Sequence, residues 1–218
     1  CGKAVEVKEG KYAGVRGEGP EYETLCGFGS NLQCDDLNAV AAMNDLCNRY
    51  TLDTISTSSV LAFAFECYEK GLITEEDTGG LALKWGDADA IIGMIHKIAR
   101  RENIGDLLAE GSLRAAQAIG PEAVELTVTV KGQELPAHMP RNKRSMGLIY
   151  AVNPFGADRQ SSGQDPILRT KPGSIHRKRL GELGIFDDLP TTDLSDAKVR
   201  FAYYTQCFYS LMDTLGLC

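Results

Sequence analysis

Apolar residues recur every three or four positions along much of this chain, which is the spacing of helices that bury one face. The first run follows Asp35 and Asp36, either of which can cap a helix, and it continues to Cys47. The mainly polar residues 51–59 predict a break, and the run 60–71, almost wholly apolar until Glu66, predicts a buried helix. This part of the chain therefore predicts two packed helices.

Four more spans carry helical spacing or residues that start and stop helices. They are Asp87 to Arg101, Gly105 to Gly120, residues 176–184, and a long span to Leu211 that Asp193 or Ser195 caps.

Strand signals are few along this chain. Weak alternation over residues 3–15 predicts a short hairpin, and residues 123–131 alternate cleanly between apolar and polar side chains, as a strand does. Residues 17–24 predict an irregular loop, and residues 132–175 predict a much longer one. About six helices against two or three short strands make the predicted fold mainly α, an irregular assembly of several helices.

Composition narrows the class of protein. The 218 residues are 43% hydrophobic, so the chain can fold around a core. Its net charge of −7 argues against a nucleic-acid binder, because phosphate binding needs a basic face. No run of 18 apolar residues predicts a membrane span, and no signal peptide is recognisable. Because the chain begins at Cys1 and ends at Cys218, we expect a piece of a larger protein.

The seven cysteines are odd in number and irregularly spaced, which argues against a disulfide framework and favours a reducing, cytoplasmic location. No Cys-x-x-Cys pair occurs in the sequence, so a self-contained zinc or redox motif is not predicted. We expect Cys47, Cys67 and Cys207 to be small buried apolar residues.

Two turns that end helices carry candidate chemistry. Residues 213–218, Asp-Thr-Leu-Gly-Leu-Cys, place a carboxylate, exposed backbone N–H groups and a thiol together, which suits a polar heterocycle beside a metal. Residues 48–53 repeat this arrangement loosely. The alternative is an ordinary helix end with Gly216 as its left-handed cap.

Glu21 and Glu23 lie in a predicted loop, where a carboxylate beside a buried cofactor could carry protons, and His138, in an extended loop, is a candidate for a role in a site. The alternatives are a solvated glutamate and a buried, hydrogen-bonded histidine. His96 is expected to be structural or exposed. No Ser-His-Asp set, His-Glu-x-x-His motif or Gly-x-Gly-x-x-Gly turn after a strand is recognisable.

Several short stretches stand out in order along the chain. They are GPEYET at 19–24, LCNRY at 46–50 with LDTIST at 52–57, ECYEKG at 66–71, GDLLAEG at 105–111, VKGQELPAH at 130–138, GAD at 156–158 and DTLGLC at 213–218. Together they resemble the tungsten-containing aldehyde ferredoxin oxidoreductase family.

This resemblance implies that residues 1–130 are the family's helical second domain and residues 131–218 the start of its third, without the N-terminal domain that cradles the pterins. Family members oxidise aldehydes to carboxylic acids and pass electrons through a [4Fe–4S] cluster to ferredoxin. Their metal is tungsten, sometimes molybdenum, held by two pterins. We expect the isolated chain to be inactive and free of these cofactors, with no nucleic-acid or membrane partner; a homo-oligomer is compatible with the family.

The resemblance also implies the ligands of the cofactors. Cys1 resembles the last cysteine of the family's cluster-binding run, and Cys218 resembles the distant fourth ligand. Asp213, Leu217 and Cys218 match the family's pterin-binding turn.

Asn48 and Asp53 match a second pterin-binding turn in which Asn48 replaces aspartate and Thr51 replaces glycine. An asparagine can still donate and accept hydrogen bonds at a pterin ring. Because threonine is strained in the left-handed conformation that glycine adopts freely, we expect a different backbone at this turn.

Glu23 resembles the family's carboxylate near the metal, and the resemblance makes Glu23 and Arg159 the catalytic candidates. Arg159 stands where the family has a histidine, and Ser161 where it has a lysine. Arginine stays protonated, so it is a poor proton shuttle, but it can bind a carboxylate. These departures leave two alternatives open: an enzyme of the same cofactor class that acts on another carbonyl or an acyl thioester, and a non-catalytic helical interaction module.

Overall fold

The computed structural model describes residues 3–169, 173–186 and 188–217. The chain is mainly α, as predicted, with two short two-stranded sheets among the described residues. It divides into two compact units: unit 1 ends at Ala137 and unit 2 begins at His138. The division into two family domains at residue 130 stays a prediction.

Unit 1 opens with an antiparallel hairpin of β1 (Ala4–Glu6) and β2 (Arg16–Glu18). The predicted hairpin is confirmed, but its second strand lies further along the chain than residue 15. The two strands are joined by a long connection, residues 7–15. The Val7 N–H donates to the Val15 carbonyl at 2.9 Å across this connection.

The segment predicted as an irregular loop of Gly, Pro and Glu enters a helix before it ends. The short helix α1 (Tyr22–Thr24) continues directly into a π-helix, Leu25–Asn31. Gly27 allows the π-helix to pass close to Ser58, because a Cβ atom there would lie 2.1 Å from the Ser58 hydroxyl. The loop prediction is therefore wrong over residues 22–24.

Three aspartates cap the long helices of unit 1 through hydrogen bonds to backbone N–H groups. Asp36 caps α2 (Leu37–Tyr50), Asp53 caps α3 (Thr54–Glu69) and Asp87 caps α4 (Ala88–Arg100). α3 begins at Thr54 rather than at Val60, because Asp53 supplies a cap where the polar residues indicated a break.

Three short helices and a second sheet complete unit 1. They are α5 (Ile104–Leu108), α6 (Ser112–Ile119), α7 (Pro121–Val124), and the sheet of β3 (Thr129–Val130) and β4 (Gln133–Glu134). The single helix predicted over 105–120 is wrong, because Gly111 adopts φ 91° and breaks it. The strand predicted over 123–131 is also wrong except at its end, because Pro121 begins α7 there.

One apolar core holds unit 1 together, and α3 lies at its centre. Leu61, Ala64 and Phe65 have no accessible surface, and α3 contacts the π-helix, α1, α4, α5, α6 and β4. This matches the prediction of a helix that is apolar on nearly all sides. Leu37, which the α2 pattern placed inward, is instead 71% exposed.

Unit 2 contains α8 (Arg144–Val152), a 3₁₀-helix (Asp165–Arg169), α9 (Ile175–Glu182) and α10 (Asp196–Thr214). α9 and α10 were predicted, and Ser195 occupies the N-cap position of α10. α8 contradicts the prediction of a loop over 132–175. The sequence evidence for α8 is the helical spacing of three buried apolar residues, Met146, Ile149 and Tyr150, within a Gly- and Pro-rich segment.

The interior of unit 2 is partly ionic. Its described apolar cluster consists of Leu168, Leu180, Ile185 and Phe201. The same unit contains an ion pair of Lys198 Nζ and Asp165 Oδ1 at 2.7 Å, with the two side chains 2% and 0% exposed. Asp165 also accepts hydrogen bonds from the backbone N–H and the hydroxyl of Ser145. Lys198 donates a second bond to the Pro190 carbonyl at 2.8 Å.

Candidate functional site

A cavity of about 330 Å³ lies in unit 1, among α1, the π-helix, α3 and the segment from Leu126 to Ala137. Its polar lining includes Glu23, Glu66, Glu134 and Cys26. Its apolar lining includes Ile55, Phe63, Trp85, Leu126, Val128 and Leu135. A cavity of this size, mostly apolar with a few polar groups, has the character of a small-molecule site.

Glu23 lies on the wall of this cavity and is only 3% exposed. Its Oε2 accepts a hydrogen bond from the Ala137 N–H at 2.6 Å, and the neighbouring Tyr22 hydroxyl donates to the Ala137 carbonyl at 3.4 Å. The consecutive side chains of Tyr22 and Glu23 in α1 therefore both hydrogen-bond to Ala137, on the opposite wall of the cavity. The alternative of a solvated glutamate is wrong.

Glu134 is a second buried carboxylate on the cavity wall, and sequence reasoning did not single it out. It is 6% exposed, and its Oε1 accepts hydrogen bonds from the Ser112 N–H at 2.8 Å and the Ser112 hydroxyl at 2.9 Å. These bonds cap the first turn of α6 from a distant segment. The signal was a lone glutamate in the stretch 130–138, at the start of the segment predicted as a long loop.

The Cys26 thiol also lines the cavity from the π-helix. Burial raises its pKa, and the nearby Glu23 carboxylate raises it further, while a hydrogen bond with Ser30 opposes both effects. The thiol is therefore kept in its neutral, weakly nucleophilic form.

A hydrogen bond ties the helix that carries Glu23 to the predicted pterin turn of unit 1. The hydroxyls of Thr24 and Thr54 lie 2.8 Å apart, and Thr54 follows Asp53 directly. Asp53 Oδ2 accepts from the Ser56 N–H at 2.7 Å, so this carboxylate caps α3. Asn48 is exposed at the end of α2.

The two predicted pterin turns share one backbone geometry. Thr51 N–H donates to the Asn48 carbonyl at 3.2 Å, as Gly216 N–H does to the Asp213 carbonyl at 3.1 Å. Thr51 has φ 58° and Gly216 has φ 64°. The expectation of a different backbone at Thr51 is therefore wrong: the helix-ending hydrogen bonds hold threonine in the left-handed conformation despite its strain.

This geometry is not specific to the two turns. α3 ends with the same pair of hydrogen bonds at Gly71 and Leu72, and α4 ends with them at Arg101 and Glu102. The backbone is therefore that of ordinary helix ends, and a role in cofactor binding depends on the polar side chains that the turns present.

The second predicted turn lies in unit 2. Asp213 and Leu217 are both exposed, and Leu217 N–H donates to the Met212 carbonyl at 3.0 Å. The predicted cluster ligands Cys1 and Cys218 lie outside the described residues. Among the residues that are described, no group of three or more His, Cys, Asp or Glu side chains could hold a metal ion.

The two departures from the family pattern also lie in unit 2. Arg159 is half-buried in the segment that follows Asp158. Ser161 is buried, donates to Asp158 Oδ2 at 2.6 Å and accepts from Asn153 Nδ2 at 2.7 Å. A lysine at position 161 would need a different local structure, because this serine completes a buried chain of hydrogen bonds.

His138 and His96 both have hydrogen-bond partners. His138 is 7% exposed, with its ring nitrogens 3.0 Å from Lys143 Nζ and 3.2 Å from Gln164 Nε2. The prediction of a buried, hydrogen-bonded histidine is confirmed. His96 is half-buried with Nδ1 2.8 Å from the Tyr50 hydroxyl, and burial lowers its pKa, as does Arg100 to a lesser degree.

The described cysteines are free thiols. Cys47 and Cys67 have no accessible surface, as predicted, and burial raises their pKa values to about 12 and about 11. Cys207 contradicts the prediction, because it is exposed on α10. None of the described helices is long and apolar enough to cross a membrane.

Comparison with known proteins identifies the family. The sequence profile described as "Aldehyde ferredoxin oxidoreductase, domains 2 & 3" matches residues 1–218. This chain belongs to the aldehyde ferredoxin oxidoreductase family. The family is one of oxidoreductases, and its named tungsten-containing members are similar to the chain over nearly all of its length.

Two of these relatives share one name. The tungsten-containing aldehyde ferredoxin oxidoreductase of Pyrococcus furiosus is 40% identical over 202 residues, which cover 92% of this chain and 31% of that protein. The protein of the same name from Thermococcus kodakarensis is 38% identical over the same shares. The chain therefore spans about a third of the length of these relatives.

Two other matches carry different names. The aliphatic sulfonate oxidoreductase, WOR-like subunit, of Pyrococcus furiosus is 34% identical over 76% of this chain and 27% of that protein. The active-site complex BamBC of benzoyl coenzyme A reductase with 1,5-dienoyl-CoA is 23% identical with a TM-score of 0.71, covering 91% of this chain and 33% of that one. The second likeness shows a shared fold.

Proposed function

We propose that this chain is part of a tungsten or molybdenum bis-pterin enzyme that oxidises aldehydes to carboxylic acids and passes electrons through a [4Fe–4S] cluster to ferredoxin. The observation that carries the proposal is the position of Glu23. Its carboxylate is buried on the wall of a small-molecule cavity, and its helix is bonded to the start of α3, directly beside the turn proposed to hold a pterin.

The donor set of the described residues fits a pterin. Pterin rings present amino and amide N–H groups, which carboxylate and amide oxygens accept. Asn48 and Asp213 present such oxygens at exposed helix ends, and Asp53 and Leu217 complete the two turns. Cys1 and Cys218 would supply cluster ligands, since thiolates are the usual ligands of iron–sulfur clusters.

The proposed reaction consumes water and releases protons. An aldehyde and water give a carboxylate, three protons and two electrons, so the site needs a group that takes protons beside the reacting carbon. Glu23 meets this need: the Ala137 N–H fixes its carboxylate, which can take a proton from the attacking water. When bound, the bis-pterin group would accept the two electrons, and the cluster would pass them to ferredoxin.

Arg159 has a different proposed task. Its guanidinium stays protonated, so it is a poor proton shuttle, but it can bind a carboxylate. The burial of Ser161 in its own hydrogen-bond chain supports this division, because that position offers no second proton carrier.

The test uses the full-length protein that contains this chain. We expect it to hold tungsten or molybdenum together with iron and acid-labile sulfide, and to reduce ferredoxin when an aldehyde is added. Elemental analysis and the absorbance of ferredoxin measure the two results. A full-length protein without tungsten, molybdenum and iron would contradict the proposal, and the isolated chain is expected to show neither property.

A non-catalytic helical module is the second candidate, supported by Arg159 and Ser161 in place of the family's histidine and lysine. Cys218→Ser in the full-length protein separates the two functions. Loss of cluster iron supports the enzyme, and unchanged iron content supports the module. Cys207→Ser is the matched control, because Cys207 is an exposed free thiol on α10 and should not affect iron content.

A further inference from the structure

One face of α3 lines the cavity along much of the length of the helix. The α3 residues in the lining are Ile55, Ser58, Ser59, Ala62, Phe63 and Glu66. Their spacing of three and four positions is that of a single stripe along a helix. Positions 55 and 66 are about three helical turns apart, so the stripe is about 16 Å long. The cavity is therefore an elongated space that follows the axis of α3.

Glu23 lies at the end of this space that is near the start of α3. The hydroxyls of Thr24 and Thr54 are 2.8 Å apart, which places the helix that carries Glu23 against the first turn of α3. Further along, a Cβ atom on Gly27 would lie 2.1 Å from the Ser58 hydroxyl. The stripe carries its two serines in this part, so this end of the cavity is polar.

Trp85 lies at the other end of the cavity, beside the last turns of α3. Its indole N–H donates to Glu69 Oε2 at 3.3 Å, and its ring centroid is 5.5 Å from that of Phe65. These two contacts fix the position of the indole, whose ring lines the cavity. An apolar surface of fixed position therefore lies about three helical turns away from the Glu23 end.

Apolar side chains line both walls of the cavity between these ends. Ala62 and Phe63 line it from α3, and the facing segment contributes Leu126, Val128, Leu135 and Pro136. Glu66, the last residue of the stripe, lies where the cavity meets solvent, because its side chain is 42% exposed and pairs with Lys70 at 3.8 Å. An elongated site with a polar end and apolar walls suits a molecule that has a polar head and an apolar tail.

We infer that this cavity selects aldehydes with an apolar tail of several carbons, and that Ala62 sets how much tail it accepts. The inference rests on the proposed function, because it names the substrate class of that site. The carbonyl group lies at the Glu23 end, where the proton is taken, and the tail follows α3 toward Phe63 and Trp85. Ala62 lies in the middle of the stripe and carries only a methyl group, so a larger side chain there occupies the space that the tail needs.

Burial of the tail favours the longer aldehydes. Each methylene group that moves from water into apolar surroundings strengthens binding by about threefold to fourfold. The tail stays in place while the carbonyl carbon reacts, so this gain is kept in the transition state and raises kcat/KM.

The experiment measures kcat/KM of the full-length protein for unbranched aldehydes from acetaldehyde to hexanal. We expect kcat/KM for hexanal to exceed that for acetaldehyde by about tenfold or more. Ala62→Leu adds bulk to the cavity wall while keeping a strong helix former in α3. It should reduce the ratio of hexanal to acetaldehyde by about threefold or more and leave kcat/KM for acetaldehyde within about twofold of the original. Ala62→Phe should reduce the ratio further.

The matched control is Ala118→Leu, which makes the same change at an exposed position on α6 outside the cavity lining and should leave the ratio unchanged. Equal kcat/KM for all the aldehydes, or a preference for hexanal that neither Ala62 variant reduces, would overturn the inference while the proposed function stands. Failure to oxidise any aldehyde would instead contradict the proposed function, and the binding of the tail is then measured without turnover.

A second readout does not need activity. Trp85 lines the cavity and is the single tryptophan of the chain, so its fluorescence reports on this space. The probes are hexanamide and acetamide, which are uncharged carbonyl compounds with a long and a short tail. In the 218-residue chain, we expect hexanamide to change the emission with a Kd about tenfold or more below that of acetamide, and Ala62→Leu to weaken hexanamide binding. Equal responses to the two amides, or no response to either, would overturn the inference.

Discussion

Unit 1 and unit 2 are stabilised in different ways. Unit 1 packs three long capped helices around one apolar core, and it carries 22 acidic against 12 basic residues, a formal charge of −10. Unit 2 has a small apolar cluster, a buried lysine–aspartate pair, and 8 acidic against 11 basic residues, a formal charge of +3.

The difference between the units shows which stabilising interactions can be recognised from a sequence. Apolar spacing is visible in a sequence because each helix repeats it every turn. A buried ion pair is not, because Lys198 and Asp165 are 33 positions apart and each resembles a surface residue until the fold brings them together.

The largest expected effect concerns that ion pair. Lys198→Met leaves the Asp165 carboxylate buried without its cation, which should lower the free energy of unfolding of unit 2 by about 3–5 kcal/mol. Urea denaturation followed by circular dichroism measures this loss. Adding Asp165→Asn should recover much of it, because asparagine is neutral and still accepts from Ser145. If the double variant were as unstable as Lys198→Met alone, the unpaired charge of Asp165 would not be the cause of the lost stability.

In unit 1 the comparable loss should come from packing alone. Met94 has no accessible surface in α4, so Met94→Ala should lower the free energy of unfolding by about 2–5 kcal/mol through lost contacts and a new cavity. The same urea experiment measures it. The conservative Met94→Leu should cost less than about 1.5 kcal/mol. Equal destabilisation by the two variants would contradict the claim that close packing of the apolar core stabilises unit 1.

A smaller effect of the opposite sign is expected at the end of α2. Thr51→Gly should raise the free energy of unfolding by about 1 kcal/mol, because glycine adopts the left-handed conformation without strain. Differential scanning calorimetry measures the change in melting temperature. Gly71→Ala at the equivalent position of α3, where a Cβ meets open space, is the matched control and should destabilise the chain. A destabilising Thr51→Gly would mean that the threonine side chain stabilises its turn.

The smallest expected effect is a pH dependence. Burial lowers the pKa of His96 below its ordinary 6.5, so the folded protein favours the neutral ring. The stability that His96 contributes is present above that pH and is lost as the pH falls through the lower, folded-state pKa. His96→Gln should therefore reduce the fall in melting temperature between pH 7.5 and pH 5.0, by about 1 °C because the ring is partly solvated. An identical fall in both proteins would exclude His96 as a source of pH dependence.

The sequence predicted much of the fold of unit 1 and less of the fold of unit 2. Caps and apolar spacing predicted α2 and α4. The first part of α3, residues 54–59, was missed because these residues are polar or β-branched and most of the apolar residues of α3 follow from Val60 onward. α8 was hidden by the glycine and proline around it. In both cases tertiary packing stabilised a helix that local preference did not favour.

The candidate site shows the same limit. Glu23 was identified from its predicted loop and from the resemblance, and the structure explains its burial through Tyr22 and Ala137, which are 115 positions apart. Glu134 could not be recognised from the sequence, because its role depends on a hydrogen bond with Ser112 and on a cavity that forms only when α3 packs against the segment 126–137. Contacts across such distances in sequence are set by the fold and not by local pattern.

The central claim is that the buried Glu23 carboxylate takes protons during aldehyde oxidation, and one measurement tests it most directly. The full-length protein and its Glu23→Gln variant are compared at equal tungsten and iron content for aldehyde-dependent reduction of ferredoxin. Glutamine keeps the hydrogen-bonding oxygen for the Ala137 N–H but cannot take the proton, so we predict that kcat falls by about 10²- to 10⁴-fold. A variant whose kcat stays within about twofold of the original would contradict the claim.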